Sequence, residues 1–444
     1  MCGKLDFLAM RSLALAVLFA STSAVAAEPI PWIHDDFAGA LARAKAEKKP
    51  LVVDTWAPWC HSCLSMQHFV FTDPSLAPLA GRFVWLALDT EKPTAADFLA
   101  TYTVEVWPTF YVLDPADASV AGRYLGSMSI GQLRTFLDDS ERAVQLGHKM
   151  KPGDPLALLR AADQARLAGH ADEARKLYAA ARAKAPAGWP RLPEAVEGEM
   201  MALRELKDWG GCVDLGLATL DKTGNGPNAA DSADIALGCA ENLPAGDARV
   251  DKLRHRALDR LLALVNDARA PLAADDRGDM WRMIQGVRED LHDAAGAREA
   301  ARARLALLDD AAARAPDAQA ASTFDWARAQ SLLDLDRGPE AVRLLEKSEA
   351  ALPDDYNPPA RLARVHYTMK AYGEALAAVD RALVRAYGPR KGGIYLLKAD
   401  ILDKQGRRDE ARKVVEEDIA YLEALPGKDP RAVAAAKKKL ETLR

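Results

Sequence analysis

The chain has 444 residues, a formal charge of −5 at pH 7, and 28% charged against 49% hydrophobic residues. That length carries two or three domains, and the fine mixing of acid and base, with no basic run, argues against a nucleic-acid partner. Beyond the first residues no segment is apolar enough to span a bilayer, and five cysteines leave room for thiol chemistry.

Residues 1–27 place Lys4 and Arg11 before the apolar stretch Leu13-Ala14-Leu15-Ala16-Val17-Leu18-Phe19-Ala20 and the small run Ala24-Val25-Ala26-Ala27. This is the order of a secretory signal peptide cut after Ala26 or Ala27; an uncleaved N-terminal anchor is the alternative. Cleavage removes Cys2 and leaves Cys60, Cys63, Cys212 and Cys239 in a periplasmic or secreted, oxidising location.

Residues 28–148 alternate between helix and strand signals. Asp36–Lys48 is an amphipathic helix with Phe37, Leu41 and Ala44 on one face, and Lys49-Pro50 breaks it ahead of a buried strand, Leu51–Thr55. A helix from Cys60 to about Val70 follows, then a turn at Thr72-Asp73-Pro74, a short helix Ser75–Ala80, a strand Phe83–Leu88 and a helix Thr94–Tyr102. Thr109–Leu113 and Gly122–Leu125 form a strand pair around the loop Asp114–Ala121, and Ile130–Leu146 closes the segment as a helix. Such an order argues for a mixed sheet covered on both faces.

Between the first buried strand and its helix stands Trp56-Ala57-Pro58-Trp59-Cys60-His61-Ser62-Cys63. A cysteine at a helix N-terminus has its thiolate stabilised by free N–H groups and the macrodipole, and a second cysteine one turn on is within reach of any mixed disulfide the first one forms. Zinc sites share the spacing, but no second Cys-x-x-Cys or Cys/His pair accompanies it, so a redox dithiol is the reading, with no metal and no bound cofactor. Cys60 is expected to be exposed and readily ionised.

Asp54, Trp56-Ala57, Trp59-Cys60, Cys63, Pro108-Thr109 and Gly126 stand in the order and spacing of the thioredoxin fold. With Phe71-Thr72-Asp73-Pro74 downstream, this segment resembles the C-terminal domain of the DsbD-type thiol:disulfide interchange proteins more than cytosolic thioredoxin. The resemblance implies that Cys60 attacks a substrate disulfide, Cys63 resolves the intermediate, and Asp54 accepts the resolving thiol's proton. A buried carboxyl with a raised pKa suits that task, whereas a solvent-exposed strand-end aspartate does not. The resemblance also implies a cis Pro108 in Trp107-Pro108-Thr109, offering a backbone edge to a bound peptide, where otherwise Pro108 is a strand-entry proline. Trp59 is expected to wall the active site, and Trp56 to pack in the core. Two departures stand out. His61-Ser62 replaces Gly-Pro between the cysteines, with the histidine beside the first one, either stabilising its thiolate or pointing into solvent. Trp107 is bulkier than the residue usual before the proline and should reshape the groove.

After a Pro/Gly-containing linker, residues 149–155, alanine, leucine and arginine dominate residues 156–444 and paired helices recur. Ala162 and Ala174, Ala329 and Ala341, Ala363 and Ala375, and Ala399 and Ala411 keep one 12-residue offset, with Gly169, Gly406, Pro186 and Pro353 at hairpin ends. This resembles tetratricopeptide repeats, in which small residues let two helices of a hairpin approach closely. Residues 195–315 are helical without a demonstrable repeat, and Thr223–Asn228 and Pro271–Arg277 read as longer loops. Cys212 and Cys239, on adjacent hairpins, are a structural disulfide, two separate buried thiols or a regulatory disulfide.

The fold class is therefore an α/β thioredoxin fold followed by an all-α, tetratricopeptide-like helical array. The expected function is exported thiol–disulfide exchange by Cys60 and Cys63, with Trp59, His61, Trp107, Pro108 and Thr109 forming the substrate surface. Partners would be protein dithiols or disulfides, including a membrane-bound or soluble dithiol electron donor, recruited by the array. The alternative is a holdase chaperone or scaffold in which the repeats do the main work and the dithiol is a switch.

Overall fold

The computed structural model describes residues 29–427 and 429–443; the signal segment, residues 1–27, lies outside them. Five strands form one mixed sheet: β1 (Trp32–His34), β2 (Leu51–Trp56), β3 (Val84–Asp89), β4 (Thr109–Leu113) and β5 (Val120–Leu125), in the spatial order β1-β3-β2-β4-β5. β1 and β2 run parallel to β3, while β4 pairs antiparallel with both β2 and β5. Alternation along the strands sorts the core. Val52, Trp85, Phe110 and Val112 face one side with Phe136 and Leu137; Val53, Leu86, Tyr111 and Leu113 face the other with Ala40, Ala44 and Phe98.

Helix α1 (Phe37–Glu47) starts where the Asp36 side chain accepts the Gly39 N–H, at 2.8 Å, and stops at Lys48 in the left-handed region. Helix α2 (His61–Ser65) continues as a wider turn over Met66–Val70, so the segment expected to be helical from Cys60 is helical but not uniformly wound. The helix expected over Thr94–Tyr102 shrinks to a turn Pro93–Ala95 and α3 (Ala96–Leu99). Helix α4 (Ile130–Leu146) is fixed by a Ser129/Gln132 capping box. Strand β1 carries no signal of its own: three residues at a sheet edge give too short a pattern to read.

The remaining helices are α5 (Pro155–Leu167), α6 (Ala171–Lys184), α7 (Leu192–Glu205), α8 (Trp209–Thr219), α9 (Asn228–Ala240), α10 (Ala248–Asn266), α11 (Ala274–Asp290), α12 (Ala294–Arg314), α13 (Ala318–Ser322), α14 (Asp325–Asp334), α15 (Gly338–Ala351), α16 (Asn357–Thr368), α17 (Tyr372–Arg385), α18 (Arg390–Lys404), α19 (Arg408–Ala424) and α20 (Pro430–Thr442). Pairs α5/α6, α14/α15, α16/α17 and α18/α19 are the hairpins marked by the 12-residue offset, and all eight of their alanines are fully buried. Gly169 and Gly406 take positive φ at the turns, where a side chain would be strained. The fold is thus a thioredoxin-like sheet domain followed by stacked helical hairpins of tetratricopeptide type. Pro271–Arg277 is not a long loop: Ala274 already opens α11, with Asp276 returning a capping bond to the Ala273 N–H at 2.9 Å. Cys212 on α8 and Cys239 on α9 form a disulfide. Among the described residues, no helix is long and apolar enough to cross a membrane.

Candidate redox site

Strand β2 ends at Trp56, and the turn Ala57-Pro58-Trp59 delivers Cys60 to the N-cap of α2. There the Cys60 Sγ accepts the Cys63 N–H at 3.1 Å, the arrangement in which helix-end donors favour sulfur carrying negative charge. Cys60 and Cys63 are joined as a disulfide. The Trp107–Pro108 peptide bond is cis. Its surroundings are hydrogen-bonded throughout. Gly126 N–H donates to the Pro108 carbonyl at 2.9 Å, Thr55 Oγ1 donates to the Thr109 carbonyl at 2.7 Å, and Thr109 Oγ1 donates to the Val106 carbonyl at 2.6 Å. The Trp59 and Trp107 rings lie 5.3 Å apart, and Ser62 Oγ donates to the Trp107 carbonyl at 3.4 Å. The bulk of Trp107 is thus spent against Trp59, with its indole N–H donating to Thr90 Oγ1 at 2.8 Å.

Asp54 sits in the middle of β2, opposite Ala87 on β3 and Phe110 on β4, and is buried with no hydrogen-bond donor on either carboxylate oxygen. Burial pushes its pKa up to about 8, so the group changes protonation near neutral pH. A cavity of about 350 Å³ lined in part by Trp56, Gln67, His68 and Phe71 opens beside it. Trp56 therefore borders a cavity instead of being sealed into the core.

The expectation that Cys60 is exposed is wrong. Cys60 is 4% exposed and Cys63 fully buried. Trp56, Trp59 and Trp107 pack around the two cysteines, and the helical array folds back against the residues beside them, through contacts between segments hundreds of residues apart. Asn357 Nδ2 donates to the Pro58 carbonyl at 3.1 Å, and Phe324 stacks on Phe69 with ring centres 5.6 Å apart. Glu91 accepts the Trp59 indole N–H at 2.8 Å and the Arg390 backbone N–H at 2.6 Å, and Tyr387 donates to Asp89 at 2.7 Å.

One helix, α11, contributes three carboxylates to this lid. Asp275 accepts from Ser65, Asp276 accepts from Ser127 at 2.8 Å, and Asp279 meets the His61 Nε2 at 2.8 Å. His61 thus points neither freely into solvent nor at a bare helix end. The Asp279 carboxylate raises its pKa to about 9, against its partial burial and the opposing charge of Arg304, with Asp275 adding to the rise. The contact works in both directions, since His61 helps hold Asp279 below the usual carboxylate range against its burial. We expect Asp279→Asn to return the His61 pKa towards its ordinary 6.5, as read by an NMR titration of the imidazole. A folded-state pKa above the unfolded one stabilises the fold below the unfolded value, and that contribution is lost as pH rises through about 9. A His61 titration unmoved by the substitution would refute the pairing.

Asp275, Asp276, Asp279, Glu91, Asn357 and Tyr387 were not legible as site residues. The one available signal was three acids within five positions at the start of a helix, and charge runs of that kind are usually solvated. Among the described residues, no group of three or more His, Cys, Asp or Glu side chains is placed to hold a metal ion.

A family profile described as "Thioredoxin-like" matches residues 32–115. Curated relatives include the thiol:disulfide interchange protein DsbD of Pseudoalteromonas atlantica, 29% identical over 90 residues, which are 20% of this chain and 15% of that protein. DsbD of Vibrio vulnificus is 33% identical over 75 residues, 15% of this chain and 13% of the relative. The chain therefore spans only a small part of the relatives it matches. Among solved structures, a tetratricopeptide repeat protein from Parabacteroides merdae aligns with a TM-score of 0.42 at 13% identity, over 65% of this chain and 98% of the other. Residues 32–115 are a thioredoxin-like domain carrying a Cys-x-x-Cys pair, which supports thiol–disulfide chemistry at a general level.

Proposed function

We propose that the chain is an exported thiol–disulfide oxidoreductase acting on protein clients that its helical array recruits. The observation that carries this reading is the Cys60–Cys63 disulfide at a helix N-terminus, beside a cis-proline edge and a buried carboxyl poised near neutral pH. In the reductive direction the Cys60 thiolate attacks a client disulfide, and the displaced client sulfur leaves as a thiolate and takes a proton. Cys63 then gives its proton to Asp54 and attacks Cys60 Sγ, releasing the second client thiol and closing the Cys60–Cys63 bond. Two electrons pass from the dithiol to the client, and the reverse sequence oxidises it. Trp59 and Trp107 wall the client surface, Pro108 and the fully buried Thr109 hold the turn behind them, and His61 flanks the thiolate. No bound cofactor takes part; electrons come from or go to another dithiol protein, membrane-bound or soluble. Export is supported by the order of residues 1–27 and by the second disulfide, Cys212–Cys239, which suits an oxidising compartment.

Equilibration with glutathione buffers tests this reading. Cys60 and Cys63 should titrate as one two-electron couple, between the ~−270 mV of thioredoxin and the ~−120 mV of DsbA. A pair that stays oxidised or reduced across the whole range would exclude an exchange role. The near-complete burial of Cys60 favours a second reading, a holdase whose dithiol is a switch. That reading gains if a Cys60→Ser/Cys63→Ser variant still suppresses aggregation of an unfolded protein.

A further inference from the structure

His61 follows Cys60 directly and opens α2, where the free N–H groups of the helix end work against a cation. Left alone there, an imidazole with the ordinary pKa of 6.5 is mostly neutral above pH 7. The array reverses this. Asp279, in the second turn of α11, meets His61 Nε2 at 2.8 Å. The buried Arg304 of α12 stands behind it, 3.8 Å from the other carboxylate oxygen.

The three acids of α11 do not share this role. Burial pushes Asp275 well up and Asp276 to about 6, and each is spent on a hydroxyl, of Ser65 and Ser127. Asp279 is buried too, but the two cations that flank it, His61 and Arg304, keep it below the usual carboxylate range. It is therefore the acid of α11 that faces His61 in its ionised form. Asp275 and Asp276 on α11 and Arg304 on α12 are the other charged groups that act on the imidazole.

A cation one residue from Cys60 acts on the charge of its sulfur. When glutathione reduces the dithiol, the Cys60–Cys63 bond breaks and two glutathione thiols become one glutathione disulfide, giving up two electrons and two protons. Cys63 takes one proton; the other goes to solvent when Cys60 stays a thiolate. Positive charge beside that thiolate stabilises the reduced couple. We propose that Asp279 is a positioning residue of the dithiol: the array holds His61 as a cation beside Cys60 and so makes the couple more oxidising than an unassisted histidine would. This rests on the oxidoreductase reading and names an element that regulates the same site.

Glutathione equilibration of the full chain at two pH values tests it. At pH 8 His61 is charged in the wild type and neutral once its partner is gone. Asp279→Asn should therefore shift the equilibrium towards the disulfide by about tenfold, or ~30 mV. At pH 5.5 both proteins carry the imidazolium, and the variant, having lost a negative charge, should be no more reducing than the wild type. In a His61→Gln background Asp279→Asn should not lower the potential at either pH. Ser127→Ala loosens α11 at its Asp276 contact without altering these charges and should leave the equilibrium where it was. One check needs no change at position 279: the difference between the wild type and His61→Gln should fade as pH rises through about 9, not through 6.5. An equal shift at both pH values, the same shift without His61, a similar shift from Ser127→Ala, or no shift at all would each overturn the proposal. In all of those the wild-type couple still equilibrates and the oxidoreductase reading stands; a couple that never equilibrates removes both.

Discussion

Cys60→Ser should abolish disulfide exchange, and Cys63→Ser should leave the protein covalently attached to its clients through Cys60. The asymmetry follows from geometry. Only Cys60 occupies the helix N-cap, where the Cys63 N–H points at its sulfur from 3.1 Å, while Cys63 is fully buried one turn further in. A hydroxyl at position 60 cannot form the mixed disulfide at all, so the loss is complete. A thiol lost at position 63 removes only the step that resolves it. Non-reducing electrophoresis and mass spectrometry of the trapped species check both halves. If the Cys60→Ser protein exchanges a model disulfide at the wild-type rate, or adducts in Cys63→Ser run through another residue, the proposed division of labour is wrong.

The array's position changes what this chemistry requires. With Cys60 only 4% exposed, a client must part at least the Asn357–Pro58 and Glu91–Arg390 contacts, or approach along a cleft beside Trp59. These contacts are polar and lie mostly at the edges of the two cores. Hydrogen bonds of this kind contribute about 1–3 kcal/mol each once exchange with water is counted, the upper end for the Glu91 carboxylate. The large hydrophobic clusters of the sheet domain and of the hairpins touch at few points, through Trp59, Leu167 and the Phe69–Phe324 stack. A lid held this way can yield to binding energy without either unit unfolding.

Much of the thioredoxin-like domain was legible because its signals are local. The Leu51-Val52-Val53 run and the Cys-x-x-Cys spacing each act within a few residues, β2 and α2 stand where they indicated, and the cis bond stands where the resemblance to the thioredoxin fold implied it. The 12-residue alanine offset was legible for a related reason: close approach within a hairpin demands a small side chain at fixed spacing. The lid was not legible. His61 and Asp279 are 218 positions apart, and Pro58 and Asn357 are 299 apart. Neither periodicity nor propensity carries information over such distances, so Cys60 read as exposed and the acids of α11 gave no sign of a site. The π-type turn after α2 and the short edge strand β1 escaped because each departs from the regular period for only a few residues.

Asp54→Asn should slow the resolving step by roughly 10²-fold, the lower end for loss of a general base, and erase a pH transition in it near 8. In the wild type, burial holds the carboxyl protonated at neutral pH against the opposing pull of the Gln67 amide, and its pKa of about 8 makes ionisation the event that creates the base. The rate at which Cys63 releases a Cys60-linked peptide should therefore rise with pH up to about 8 and then level off. In the asparagine variant that limb should be gone, leaving the titration of the cysteine itself. The same burial predicts an opposite effect on stability. The folded-state pKa lies above the unfolded 3.8, so the fold binds the extra proton and loses stability as pH rises between those two values. At pH 7 the penalty is roughly 4 kcal/mol, and Asp54→Asn should recover most of it, with no gain near pH 3. Single-turnover release of a fluorescent peptide and denaturant unfolding at three pH values separate the two effects. Faster release in the variant, or a rate and pH profile that the substitution leaves unchanged, would remove Asp54 from the proton path and leave it a buried strand residue.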